Sequence, residues 1–317
     1  MKLDPSDLGE KTDLAALYRA IYRARLVDRQ EQALIDQGVG HFHVAGTGHE
    51  MTAALAMAME PQDWLFPHYR DKALMMAAGL PLKEVFAAFL ASPASQSAGR
   101  QMSAHYSWRD RNIASLVGPV GNNALQAVGT ATALKDSGER AVVICAMGDG
   151  TTQQGEVLEA FAEAARQSAP VLFLVEDNGW AISTPTRGRT VFDMNGDKID
   201  RLFGLPVTRF CGWDVEDAIA ACTEAVTQVR AGKGPRILLG RFERLSDHTN
   251  ADDQQAYRPD SDFKDFAGRD PVVNLRAALG RTGLTEARLQ VMEQSVQGEV
   301  DAALAAARAE NAPALNP

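Results

Sequence analysis

The sequence predicts an α/β fold, a parallel sheet flanked by helices with helical extensions at both ends, and three observations carry that prediction. Residues 140–147 (RAVVICAM) and 171–175 (VLFLV) are apolar runs of strand length, as strands buried on both faces read. Residues 153–168 lie between them and read as an amphipathic helix. Val157, Phe161 and Ala165 form one stripe, with Leu158 and Ala162 beside it. The turns Gly148-Asp149-Gly150 and Asp177-Asn178 follow the two strands. A right-handed βαβ unit delivers both turns to one edge of the sheet, where open α/β sheets bind ligands.

The remaining elements follow in chain order. Residues 13–37 suit an amphipathic helix whose core positions are Leu14, Leu17, Tyr18, Ile21, Leu26 and Leu34. A loop rich in Gly and His spans 38–48, and helices are expected over 50–59 and 81–90. Residues 91–111 form a long polar segment of the kind that often carries function. A small-residue helix over 124–136 leads into the βαβ unit. Beyond it the chain is polar from 186 to 200, with a short strand over 206–209. A helix over 214–231 starts at Asp214, a good N-cap, and precedes a strand at 236–242 (RILLGRF). A polar loop covers 246–259, and an Ala-rich helix over 285–310 ends in a loose tail. With no internal repeat, the simplest organisation is one domain, 1–317. Its helical extension covers about 1–60 and its C-terminal helical tail about 270–317.

The 317 residues, 45% hydrophobic and 23% charged, have ordinary globular composition. A net charge of -9 offers no basic nucleic-acid surface. The polar start (MKLDPSDLGEKTDL) has no apolar signal-peptide core and is too acidic for a transit peptide, and no apolar run reaches membrane-span length. Cys145, Cys211 and Cys222 form no CxxC and read as structural thiols in a reducing compartment. The expectation is a cytoplasmic protein without nucleic-acid or membrane partners.

The two turns carry the chemistry. A carboxylate at Asp149 and a carboxamide at Asn178 would sit together beside backbone N–H groups at a helix start. Hard oxygen donors suit Mg²⁺, and a helix N-terminus suits a diphosphate. Gly148 and Gly150 would let the backbone approach that diphosphate. His41, His43 and His49 lie in the Gly-rich loop without a convincingly spaced metal partner, so loop packing is the expectation for them.

Five segments in order then resemble the α subunit of thiamine-diphosphate-dependent 2-oxo acid dehydrogenases. They are LFPHYRD (65–71), GRQMSAHY (99–106), GDGTTQQGEVLEAFAEAA (148–165), EDNGWAISTPT (176–186) and DHTNADDQQAYR (247–258). The GRQM–H and NGWAISTP forms are most similar to the branched-chain (2-oxoisovalerate) members. The resemblance implies a thiamine-diphosphate-binding fold. It implies Mg²⁺ ligation by Asp149, Asn178 and the carbonyl of Trp180. Cofactor contacts are implied at Tyr69, Arg70, Gly118, Val120, Gly148, Gly150, Thr151 and His248. Val120 would prop the cofactor in its bent form. His248 would be catalytic, stabilising charge on the 2-oxo acid and assisting acyl transfer to a lipoyl sulfur, a task that suits an imidazole titrating near neutrality. His68 and His105 would line the substrate pocket.

The same resemblance implies partners. A β subunit would supply the glutamate that activates the cofactor, giving an α2β2 assembly. The acyl acceptor would be the lipoyl domain of a dihydrolipoyl acyltransferase. Several positions depart from the family pattern. His68 stands where branched-chain members carry Gln, Asp177 stands where Asn is usual, and Glu176 precedes it. Val117, Asn122 and Asn123 replace residues that hold a potassium ion in some relatives. Two other readings are compatible with these residues: another thiamine-diphosphate enzyme half, of pyruvate, acetoin or transketolase type, and a non-catalytic relative that keeps the fold.

Overall fold

A computed structural model describes residues 14–194 and 196–311. The polar start and the loose tail expected from sequence lie outside the described residues. The chain opens on α1 (Leu14–Asp36), whose Leu17, Tyr18, Ile21, Leu26 and Leu34 are buried, while Leu14 packs at the rim. After the 38–48 loop, the expected 50–59 helix is shorter. A 3₁₀ turn (Glu50–Thr52) runs into α2 (Ala53–Ala56). Then come β1 (Trp64–Phe66), α3 (Lys72–Ala77), α4 (Leu82–Phe89) and α5 (Asn122–Asp136).

The βαβ unit is β2 (Val143–Gly148), α6 (Gly155–Gln167) and β3 (Val171–Asp177). Between β2 and α6 the chain makes a 3₁₀ turn, Gly150–Gln153. The buried face of α6 is Val157, Ala160, Phe161 and Ala164. The expected Leu158, Ala162 and Ala165 are only half-buried, at the edges of that face. Two small ribbons follow, the second inside the 186–200 stretch where only polar chain was expected. One pairs β4 (Trp180–Ala181) with β5 (Thr184–Pro185), and the other joins β6 (Arg189–Thr190), β7 (Asp193–Met194) and β8 (Asp197–Lys198).

Next are β9 (Arg201–Leu202), β10 (Leu205–Cys211), α7 (Val215–Arg230) and β11 (Arg236–Arg241). Asp214 caps α7, accepting from the Asp217 N–H. The short α8 (Asp260–Phe263) follows the polar loop. In α9 (Pro271–Arg281), Pro271 sits at the helix start and Asp270 accepts from Val272 and Val273 N–H. The last helix is α10 (Glu286–Asn311), which packs on α1 and α4.

The main sheet runs β1-β2-β3-β11-β10-β9, and all neighbours are parallel except the β10–β9 edge pair. Both faces are covered, which is why β2 and β3 lack polar alternation. Ile144, Ala146, Leu172 and Leu174 pack against the side holding α1, α7 and α9. Cys145, Met147, Phe173 and Val175 pack against α5 and α6. No helix among the described residues is long and apolar enough to cross a membrane.

Candidate active site

Parallel pairing brings four strand ends to one edge. In register, Phe66 lies beside Cys145, Gly148 beside Glu176, and Asp177 beside Arg241. The segments beginning at Pro67, Asp149, Asn178 and Phe242 therefore leave the sheet side by side, at the carboxyl edge where α/β folds place ligands.

Asp149 is buried at the first of these ends. Its carbonyl accepts from Thr152 N–H and Oγ1 at 3.2 and 2.6 Å, which closes the 3₁₀ turn. Its carboxylate accepts from Thr186 Oγ1. Thr186 N–H donates to the Gly179 carbonyl at 3.0 Å, so one threonine ties the two turns together. Burial first, and then the neighbouring Asp177, push the Asp149 carboxyl up to about 7. A Cβ on Gly150 would lie 2.5 Å from the Ala181 methyl. Glycine is needed there for the packing of the two turns, since Ala181 already fills the space. At Gly148 a Cβ would make ordinary contact with His68 Nε2, at 3.5 Å.

At the second end, Gly179 takes a left-handed φ of +80° that reverses the chain after Asn178. Asn178 Oδ1 accepts from Trp180 N–H at 3.0 Å, and its Nδ2 lies 3.2 Å from His49 Nε2. His49 is fully buried and stacked on Phe242, with ring centroids 5.0 Å apart. Its Nδ1 meets Glu176 Oε2 at 2.6 Å. Burial depresses the His49 pKa and keeps the ring neutral. His49, expected to serve loop packing, is thus part of the site; it contacts residues far from it in sequence, and no local motif marks it.

The two extra acids are accommodated in different ways. Glu176 lies in the interior, between His49 and His68, whose Nδ1 is 3.4 Å from Oε1. Burial alone would raise its pKa, but His68 and His49 hold it well below the carboxylate range. Burial and the Glu176 charge push Asp71 well above that range, so the two buried carboxyls carry one charge between them. Asp177 turns Oδ1 to the Gly179 N–H at 2.9 Å.

The other predicted residues gather above these turns. Arg70 is buried. Its Nη1 donates to the Ala45 carbonyl at 2.6 Å, and its Nη2 meets His248 Nδ1 at 2.8 Å. Tyr69 lies edge-on to His248 and 3.9 Å from the His68 ring, centroid to centroid. Burial, then Arg70 and Arg244, push the His248 pKa down to about 3, so the expectation of an imidazole titrating near neutrality is not met. A narrow cavity of about 20 Å³ is lined by His68, Tyr69, Val120, Met147 and Thr151, among others. Both His68 ring nitrogens are buried without a hydrogen-bond partner. Gly118 and Val120 stand exposed at the rim, and a Cβ on Gly118 would meet open space. Asn123 donates to the Pro67 and Ala146 carbonyls, both at 3.4 Å, and holds the His68 segment to β2. His105 is not drawn into this cluster by its ring: Nδ1 turns back to the Ser103 carbonyl at 2.9 Å. Trp180 packs its ring against Tyr257. Together the edge offers a carboxylate and an amide oxygen, a guanidinium, and imidazole nitrogens in need of a partner, which suit a divalent cation beside an anionic ligand.

Comparison with known proteins agrees with the motifs. The family described as "Dehydrogenase E1 component" matches residues 18–317. The chain is 33% identical over 285 residues to 3-methyl-2-oxobutanoate dehydrogenase subunit alpha of Mycobacterium tuberculosis, covering 90% of this chain and 75% of the relative. It is 30% identical over 307 residues to 2-oxoisovalerate dehydrogenase subunit alpha of Bacillus subtilis, covering 95% and 92%. It is 31% identical over 280 residues to pyruvate dehydrogenase E1 component subunit alpha of Staphylococcus aureus, covering 88% and 73%.

Proposed function

Because the chain belongs to the dehydrogenase E1 component family, we propose that it is the α subunit of a 2-oxo acid dehydrogenase acting on a branched-chain 2-oxo acid. In this reading it binds thiamine diphosphate and Mg²⁺ and works with a β subunit in an α2β2 assembly. The observation that carries the reading is the meeting, at one sheet edge, of the Asp149 and Asn178 turns with the Arg70–His248 pair.

The residues fit the group. Asp149 and Asn178 Oδ1 supply hard oxygens for Mg²⁺, with the Trp180 carbonyl as a third ligand. His68 Nε2, buried without a partner beside Gly148, marks a place for a polar ligand atom. When bound, thiamine diphosphate supplies the electron sink for decarboxylating a 2-oxo acid. The chain's own residues bind and orient. The Gly148–Thr151 turn would receive the diphosphate, and Arg70 would add charge from the part of its donor fork not spent on Ala45 and His248. Tyr69 and Val120 line the narrow cavity beside this turn and would face the cofactor from there. An Arg guanidinium only donates, so His248 accepts at Nδ1 and carries its proton on Nε2. From Nε2 it stabilises charge on the substrate oxygen and assists acyl transfer to the lipoyl domain of a dihydrolipoyl acyltransferase.

The activating glutamate is assigned to the β subunit. Residues 1–317 are taken as one domain, and the unpaired cysteines support a reducing, cytoplasmic setting. The test is co-expression with candidate β chains, followed by reduction of an artificial electron acceptor with 3-methyl-2-oxobutanoate, pyruvate and other 2-oxo acids. Turnover favouring the branched-chain acid is expected. No turnover with any 2-oxo acid would refute the proposal.

A further inference from the structure

We propose that His49 is a positioning residue that orients the Asn178 carboxamide for cation binding, in a buried relay anchored by Glu176. The inference rests on the reading of Asn178 as a cation ligand.

The hydrogen-bond directions follow from the groups themselves. Asn178 Nδ2 can only donate, so His49 Nε2, 3.2 Å away, accepts. The ring proton is then on Nδ1, where Glu176 Oε2 accepts it at 2.6 Å. An amide flipped end for end would set Oδ1 against a lone pair on Nε2 and Nδ2 against the Trp180 N–H, losing two hydrogen bonds in a buried place. The observed orientation leaves Oδ1 at the end remote from His49, with a second lone pair beyond the one used by Trp180. The ring itself has little freedom, being fully buried and stacked on Phe242 at an interplanar angle of 6°. The other Glu176 oxygen lies 3.4 Å from His68 Nδ1. This is the arrangement by which outer groups orient ligands in metal sites, except that the histidine here stands behind an amide. It also gives Glu176 a role: the acid beside the site faces away from the ligand and sets the tautomer of His49.

The experiment titrates Mn²⁺ into the full chain, held with its β partner and thiamine diphosphate, and reads free Mn²⁺ by electron paramagnetic resonance. Thermal unfolding is followed in parallel. His49→Leu removes the acceptor, and Mn²⁺ affinity should fall about 10–100-fold. His49→Gln can accept from Asn178 and donate to Glu176, and should restore affinity to within a few-fold of wild type. Should His49→Leu fail to fold, His49→Asn, polar but with shorter reach, takes its place with the same expected loss. Nitrogen-15 NMR of the wild type should show His49 as the neutral ring protonated on Nδ1. Wild-type Mn²⁺ affinity in folded His49→Leu or His49→Asn would overturn the proposal, as would a His49→Gln variant no better than His49→Leu. Asn178→Ala separates the two levels. If it binds Mn²⁺ like wild type, the reading of Asn178 as a ligand fails as well. If it loses binding while folded His49→Leu does not, only the role of His49 fails.

Discussion

Arg70 donates from Nη2 to Nδ1 of His248 across 2.8 Å, joining the end of the first strand to the polar loop after the last parallel one. The contact determines which His248 nitrogen carries the proton. Burial and the adjacent guanidinium also keep the ring neutral. NMR should therefore show His248 protonated at Nε2 and silent to titration between pH 5 and 8. In Arg70→Ala one of the depressing charges is gone, and the His248 pKa should rise. A wild-type ring titrating near the usual histidine value of about 6.5 would contradict this.

Thr186 gives its hydroxyl proton to the buried Asp149 carboxylate and its N–H to Gly179. Thr186→Val keeps the shape and leaves the carboxylate short of a donor. The expected cost is about 1.5–3 kcal/mol in urea unfolding of the metal-free chain. Unchanged stability would mean that solvent replaces the hydroxyl freely.

Gly150→Ala should cost about 1–3 kcal/mol, because the new methyl lands 2.5 Å from that of Ala181. Adding Ala181→Gly should recover much of the loss in a double-mutant cycle. If the two changes were additive, contact between the turns would not be the reason for glycine.

Asp270 caps α9 and takes a two-pronged bond from Arg25, at 2.8 and 3.0 Å. Burial raises its pKa, but Arg25 outweighs burial and the net direction is down. A carboxylate depressed in the folded state stabilises above its unfolded pKa, about 3.9. That stabilisation disappears as pH falls through the lower folded value. Asp270→Ala should cost about 2–3 kcal/mol at pH 7 in denaturant unfolding. The gap from wild type should narrow steadily below about pH 4. A gap that widens on acidification would contradict the assignment.

Much of this fold was legible because the signals were local. The apolar runs of β2 and β3, the cap at Asp214 and the stripe of α1 each declare themselves within a few residues. β1 escaped notice because three residues carry no period, and the ribbons from β4 to β8 because two-residue strands read as polar loop. The helical tail expected from about 270 is two helices, and the break between α9 and α10 did not show because the apolar positions of α9 are few. Within the site, the motifs pointed to Asp149, Asn178, Arg70 and His248, which the sheet edge brings together. The motifs gave no role to Thr186, though it closes one of them, and did not include His49; their partners lie 37 and 127 residues away and meet them only when the sheet edge assembles. Nor could the sequence show that Glu176 turns inward while Asp177 stays with its own turn.

The central claim is that Asp149 and Asn178 together hold a divalent cation that secures a diphosphate at this sheet edge. Calorimetric titration of thiamine diphosphate into the chain with its β partner, with and without Mg²⁺, tests it most directly. Binding should require Mg²⁺ in the wild type and weaken about 100-fold in Asp149→Ala, a loss of ~2.7 kcal/mol. Equal affinity with and without Mg²⁺, or an Asp149→Ala variant that binds as the wild type does, would contradict it.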